Sequence, residues 1–298
     1  MKEIHNNIIF LSFIFLILLL TNCKSKKITE NNDYLINKAE NQKAILVLFP
    51  CFPCDKINTK TEAKFLENIE KEGITTILLD YNQKLFLKEN EQKYLSLKLN
   101  SIFDDNEISK QNVFIGGFSS GGNITILLSN YLLKTNNEIQ PKGIFVVDSP
   151  LDLEELYKNA ENDIKKNISI EAVEEAKFIT TLFGKEIGNP MRNIENYKKY
   201  SPYLISNNSI QNIEFLKNIK TRFYIEPDLG WQSENRNRKY EDLNAFKLEK
   251  TYNSLKQLGA KKTEFIKTEN RGYRANGQKH PHSWNIVEKE NLVDWILK

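Results

Sequence analysis

Gly117-Phe118-Ser119-Ser120-Gly121 lies between two apolar runs, 112–117 and 123–133, so a strand is expected to turn at once into a helix. Such a bend drives its central residue towards positive φ and projects that side chain out of the turn. Glycines on both sides remove the Cβ atoms that would collide there. A hydroxyl at the start of a helix can serve as a nucleophile, because the dipole and the free N–H groups favour developing negative charge. Ser119 is therefore the candidate nucleophile, and a simple helix cap is the plainer role for the same residue.

A serine becomes nucleophilic near neutral pH when an imidazole takes its proton and a carboxylate orients that imidazole. The chain has three histidines, His5, His280 and His282, and His5 falls in an N-terminal segment expected to be removed on maturation. His282 is the preferred base, with Trp284 two residues on as an anchor for its loop. Pro281 restricts His280 to an extended backbone and is expected to turn its side chain elsewhere. Three acids follow apolar runs and can complete the set: Asp148, Glu226 and Asp228. Each can equally be a turn or capping residue. An oxyanion needs backbone N–H donors, one from Ser120 and one from the loop Pro50-Cys51-Phe52-Pro53-Cys54. Proline has no N–H, which leaves Cys51 or Phe52.

The elements that must position these groups alternate. Apolar runs at 44–49, 74–80, 112–117, 143–148, 221–227 and 263–268 read as strands. Helical spacing marks 61–72, the segment carrying Leu95, Leu99 and Ile102, and 123–133. A further helix carries Leu248, Tyr252 and Leu255 and stops at Gly259, and a closing helix places Trp284, Val287, Asn291 and Trp295 along one side. Residues 151–217 are rich in Glu, Lys and Asn and read as a helical insertion without a strand. Strands separated by helices of this length imply right-handed crossovers and a mostly parallel sheet between helical layers.

From about residue 44 to 298 this order resembles the α/β-hydrolase family: nucleophile elbow, strand, insertion, acid after a later strand, and histidine after the last strand. Lys198-Lys199-Tyr200-Ser201-Pro202 is similar to a recurring element of that family. The resemblance implies a three-layer, mostly parallel sheet with a helical lid at 151–217. It also implies a serine hydrolase acting through Ser119, Asp228 and His282, with Ser120 and Phe52 as oxyanion donors. Asp228 is chosen because the family places its acid just past the strand end, and Asp148 is the rarer alternative. Carboxylic ester or similar acyl substrates of small-molecule size are expected ahead of peptides on family analogy alone. No cofactor is implied.

Residues 8–20 form an apolar run broken only by Ser12, with the length of a signal-peptide core rather than a bilayer span. Leu20-Thr21-Asn22-Cys23 after it resembles the lipobox of bacterial lipoproteins, in which the cysteine is acylated. That divides the chain into a signal peptide at 1–22, a polar tether at 23–43 and a catalytic body at 44–298. Lys24-Ser25-Lys26-Lys27 replaces the acidic residues of the family's surface-export signal, so a periplasm-facing, lipid-anchored location is expected.

With 42 Lys and Arg against 39 Asp and Glu, the net charge of +3 gives no nucleic-acid footprint. Three cysteines build no disulfide scaffold, and so few histidines disfavour a multi-histidine metal site. Cys51-Phe52-Pro53-Cys54 between a strand and a helix matches a thiol-redox motif, yet that activity leaves the elbow unexplained. In an oxidising compartment the same pair can form a local disulfide that stiffens the loop. A non-catalytic lipoprotein that binds through a hydrolase-like body is the remaining alternative.

Overall fold

The computed structural model describes residues 28–81, 84–167 and 170–298. The lipobox-like segment and Cys23 lie outside them. Eight strands form one sheet: β1 (Ile28–Glu30), β2 (Tyr34–Asn37), β3 (Ala44–Phe49), β4 (Ile74–Leu79), β5 (Val113–Phe118), β6 (Pro141–Val147), β7 (Lys220–Ile225) and β8 (Thr263–Lys267). Their order is β1-β2-β4-β3-β5-β6-β7-β8. From β4 to β8 every pairing is parallel, while β1 and β2 run antiparallel at one edge.

The central strands are buried on both faces, which is why they are continuously apolar rather than alternating. The two-residue period of a strand divides each between two cores. Ile45, Val47, Ile115, Ile144 and Phe223 face one of them; Leu46, Leu48, Phe114, Phe145 and Tyr224 face the other. The first core is closed by α2 (Glu89–Asp105), α3 (Ser120–Lys134) and α8 (Asn244–Gln257). The second is closed by the 63–69 segment and by α9 (Lys289–Leu297), whose Trp295 meets the Phe114 ring edge-on at 5.4 Å. Helices on both faces of the sheet make the three-layer α/β architecture.

Residues 151–217 hold α4 (Leu153–Lys166), α5 (Ile170–Glu186) and α6 (Ile194–Tyr200) above the carboxyl end of the sheet. Asp152 starts α4 by accepting from the Glu155 N–H, and its other oxygen accepts from Ile205 N at 2.8 Å. Buried there, its carboxyl is pushed up to about 6. After β7 comes α7 (Leu229–Arg236), a short helix beyond those expected from the sequence.

Three expectations are corrected. Part of the segment read as tether is β1 and β2: Leu35 and Ile36 are buried, and β2 pairs with β4 from Tyr34↔Leu79 to Asn37↔Thr76. Strands this short carry little periodic signal. The helix expected over 61–72 is instead α1 (Lys56–Glu62), capped by the Asp55 carboxylate on Asn58 N, followed by two 3-10 turns. Left-handed Asn68, at φ 56°, separates those turns. The closing helix is likewise a 3-10 turn at Trp284–Ile286 and then α9.

Candidate active site

Ser119 sits between β5 and α3 at φ 54°, a backbone conformation that residues with a side chain rarely adopt. The neighbouring glycines explain how the chain tolerates it. A Cβ on Gly117 would lie 2.1 Å from the Gly121 carbonyl oxygen, and one on Gly121 would lie 2.4 Å from that of Phe49. The elbow is thus pressed against the end of β3. Ser119 donates its backbone N–H to Val147 O at 2.9 Å, which ties the elbow to β6, and its side chain makes no capping bond to α3. The hydroxyl is left available.

His282 Nδ1 lies 2.6 Å from Asp148 Oδ2. A carboxylate accepts, so Nδ1 donates, and in the neutral ring this tautomer leaves the lone pair on Nε2. Asp148 follows β6 at φ 41°, with its N–H donated to Tyr224 O and its own carbonyl accepting from Asn244 Nδ2. The His282 ring packs on Phe118, the residue before Ser119, with centroids 4.4 Å apart. Trp284, fully buried, lies 5.3 Å from the same Phe118 ring and fixes the chain just beyond His282. Ser119, Asp148 and His282 line one cleft of about 160 Å³.

Asp228, the acid expected behind His282, is elsewhere. It is left-handed at φ 31°, caps α7 through Trp231 N and forms an ion pair with Lys279 at 2.7 Å. The Lys279 ammonium holds its carboxyl below the usual range. Glu226 is buried and accepts from Thr268 Oγ1, Arg271 N and Gly272 N, each at 2.9 Å. Both acids after β7 therefore fasten the histidine-bearing loop, and the acid after β6 meets the imidazole.

His280 does not turn away. Its Nδ1 lies 3.1 Å from the His282 carbonyl oxygen, its ring rests on Trp231 at 4.9 Å, and it lines the same cleft as Ser119. Burial first, and then the charge of Arg274, push its pKa down to about 4.

The loop after β3 abuts the first turn of α3 through the Phe49 and Pro50 carbonyls beside Gly121. Ser120 opens α3, where N–H groups have no partner within the helix. Cys51 and Cys54 are joined by a disulfide, closed further by a Cys54 N–H bond to Cys51 O. The Phe52 ring stacks on Phe178 of α5 at 4.8 Å, so this loop touches the helical layer above it. Ala172, Ala176 and Ile179 of α5 form the apolar side of the cleft. Among the described residues no cluster of metal-ligating side chains occurs, and no helix is long and apolar enough to cross a membrane.

Sheet order, elbow and loop placement together define a three-layer fold of α/β-hydrolase type. No protein-family model matches the chain, and no curated protein matches its sequence. Solved structures of that fold do match. A carboxyl esterase from Tuber melanosporum is 16% identical at a TM-score of 0.53, over 92% of this chain and 87% of its own. The fluorophosphonate-binding serine hydrolase FphF of Staphylococcus aureus is 12% identical at 0.54, over 92% and 95%. EstE5, solved after soaking with p-nitrophenyl butyrate, is 11% identical at 0.56, over 91% and 83%.

Proposed function

We propose that the protein is a serine hydrolase that cleaves a small carboxylic ester through an acyl-enzyme. The observation that carries this reading is the Asp148–His282 hydrogen bond, opening on the cleft that Ser119 lines. Asp148 holds His282 with Nε2 unprotonated, and that nitrogen takes the Ser119 proton as Oγ attacks the ester carbonyl. The N–H of Ser120 and that of Phe52 hold the oxyanion. His282 then protonates the departing alcohol, and water activated by the same imidazole releases the acid. In this reading the Cys51–Cys54 disulfide stiffens the loop that presents the second donor, and the 151–217 helices form a lid that shapes substrate access. An ester rather than a peptide is supported by the esterases among the similar structures. For the N-terminus the reading is a lipid anchor on Cys23 and a periplasm-facing body, supported by the apolar run and the lipobox-like Leu20-Thr21-Asn22-Cys23.

The deciding experiment labels the protein with a fluorescent fluorophosphonate. Wild type is expected to be modified at Ser119 and Ser119→Ala to remain unlabelled. Equal labelling of both, or of neither, sinks the reading.

A further inference from the structure

We infer that His280 is a specificity residue that accepts a hydrogen bond from a hydroxyl on the alcohol side of the ester, so that the substrate is an ester of a polyol or sugar-like alcohol. This rests on the serine-hydrolase reading above.

The ring chemistry of His280 comes first. Its Nδ1 faces a backbone carbonyl, that of His282, and a carbonyl only accepts, so Nδ1 must donate. In the neutral ring Nε2 is then a bare acceptor, and no protein group within the described residues bonds to it. Burial, and after it the charge of Arg274, keep the ring neutral well below neutral pH. A cleft-lining acceptor with no protein donor is matched by a donor on the ligand.

Placement decides which side of the ester meets it. His282 must hand its proton to the departing alcohol, and the His280 ring centre lies 6.3 Å from the His282 ring centre. His280 therefore borders the alcohol pocket, within reach of a hydroxyl one or two carbons from the ester oxygen. The flat wall there is Trp231, carried on α7 and held against His280. The α7 start is locked to the same loop by the Asp228–Lys279 pair, so the wall and the acceptor keep their spacing. An indole face beside polar groups suits a hydroxylated carbon skeleton, which offers C–H groups to the ring and O–H groups to the rim. Charge does not favour an anion: Arg236 and Arg238 line the cleft together with Asp163, Glu175 and Asp242, and Arg238 is paired with Asp163.

The test compares two esters of one acid, glycerol 1-monobutyrate and n-propyl butyrate, whose three-carbon alcohols differ only in two hydroxyls. Wild type is expected to favour the glycerol ester by about tenfold in kcat/KM, the size of one hydrogen bond between neutral groups. His280→Asn places an amide N–H where Nδ1 was, keeping the donor to the His282 carbonyl while removing the distal acceptor, and is expected to collapse that ratio towards one. His280→Gln restores an oxygen near the Nε2 position and is expected to recover part of it. Fluorophosphonate labelling of Ser119 is measured on the same samples. Labelling with no preference in wild type, or with the same ratio in wild type and His280→Asn, overturns the inference and leaves the hydrolase reading standing. Absence of labelling at Ser119 overturns that reading and this inference with it.

Discussion

His282 bonds to Asp148, which follows β6, although two carboxylates stand after β7 where the chain passes close by. Replacing Asp148 by Asn removes the acceptor that fixes the imidazole tautomer. The expected loss in kcat on p-nitrophenyl butyrate is about 100- to 10,000-fold. Asp228→Asn breaks only the Lys279 pair and the cap of α7, and its expected loss is under about tenfold. Initial rates of the two variants side by side check the assignment, and the reverse ranking would refute it.

Glu226 is a positioning residue. Its carboxylate receives two backbone N–H groups and one hydroxyl from 268–272, the start of the loop that ends in His282. Gln offers one acceptor oxygen and brings an NH₂ against backbone donors. Glu226→Gln is therefore expected to lower stability by about 2–3 kcal/mol in urea unfolding, with a fall in kcat that follows the disturbed loop.

Gly121→Ala tests the close approach of the elbow to the loop after β3. The added Cβ would meet the Phe49 and Pro50 carbonyl oxygens at 2.4 and 2.5 Å, and both are backbone, so either the loop or α3 must shift. We expect activity to fall by about 100-fold or more, as when an oxyanion donor is lost. Full activity in this variant would show that the loop after β3 supplies no donor.

His280 also sets a pH dependence of stability. Its folded pKa of about 4 lies below the unfolded value, so the contribution is fully present above about 6.5 and is lost as pH falls towards 4. Allowing for its partial exposure, the difference at pH 5 is on the order of 1 kcal/mol. The drop in Tm between pH 7 and pH 5 is expected to be smaller in His280→Asn than in wild type. Equal drops would mean that the ring titrates normally.

Much of the layout was legible because its signals are local. The run Ala44–Phe49 is apolar at every position since β3 is covered on both faces, and the glycines around Ser119 announce a bend that only they permit. β1 and β2 were not legible. They are three and four residues long, sit in a polar stretch and become strands only because β4 offers an unpaired edge. The interruption of 56–72 depends on non-helical backbone at Ala63 and Glu67 and on left-handed Asn68, which helical periodicity does not register.

The chain by itself determined the elbow at Ser119, the histidines after the last strand and the alternation that builds a parallel sheet, because backbone conformation and burial leave marks on neighbouring residues. It offered three carboxylates for His282 without ranking them by space. Tertiary structure made that choice: β6 and β7 lie side by side, Val147 opposite Tyr224, so all three acids gather at one end of the sheet. Lys279 claims Asp228, the loop amides claim Glu226, and Asp148 alone turns its carboxylate to the imidazole. Competition among partners brought together from distant parts of the chain has no footprint in sequence spacing, which is why only the folded molecule settles it.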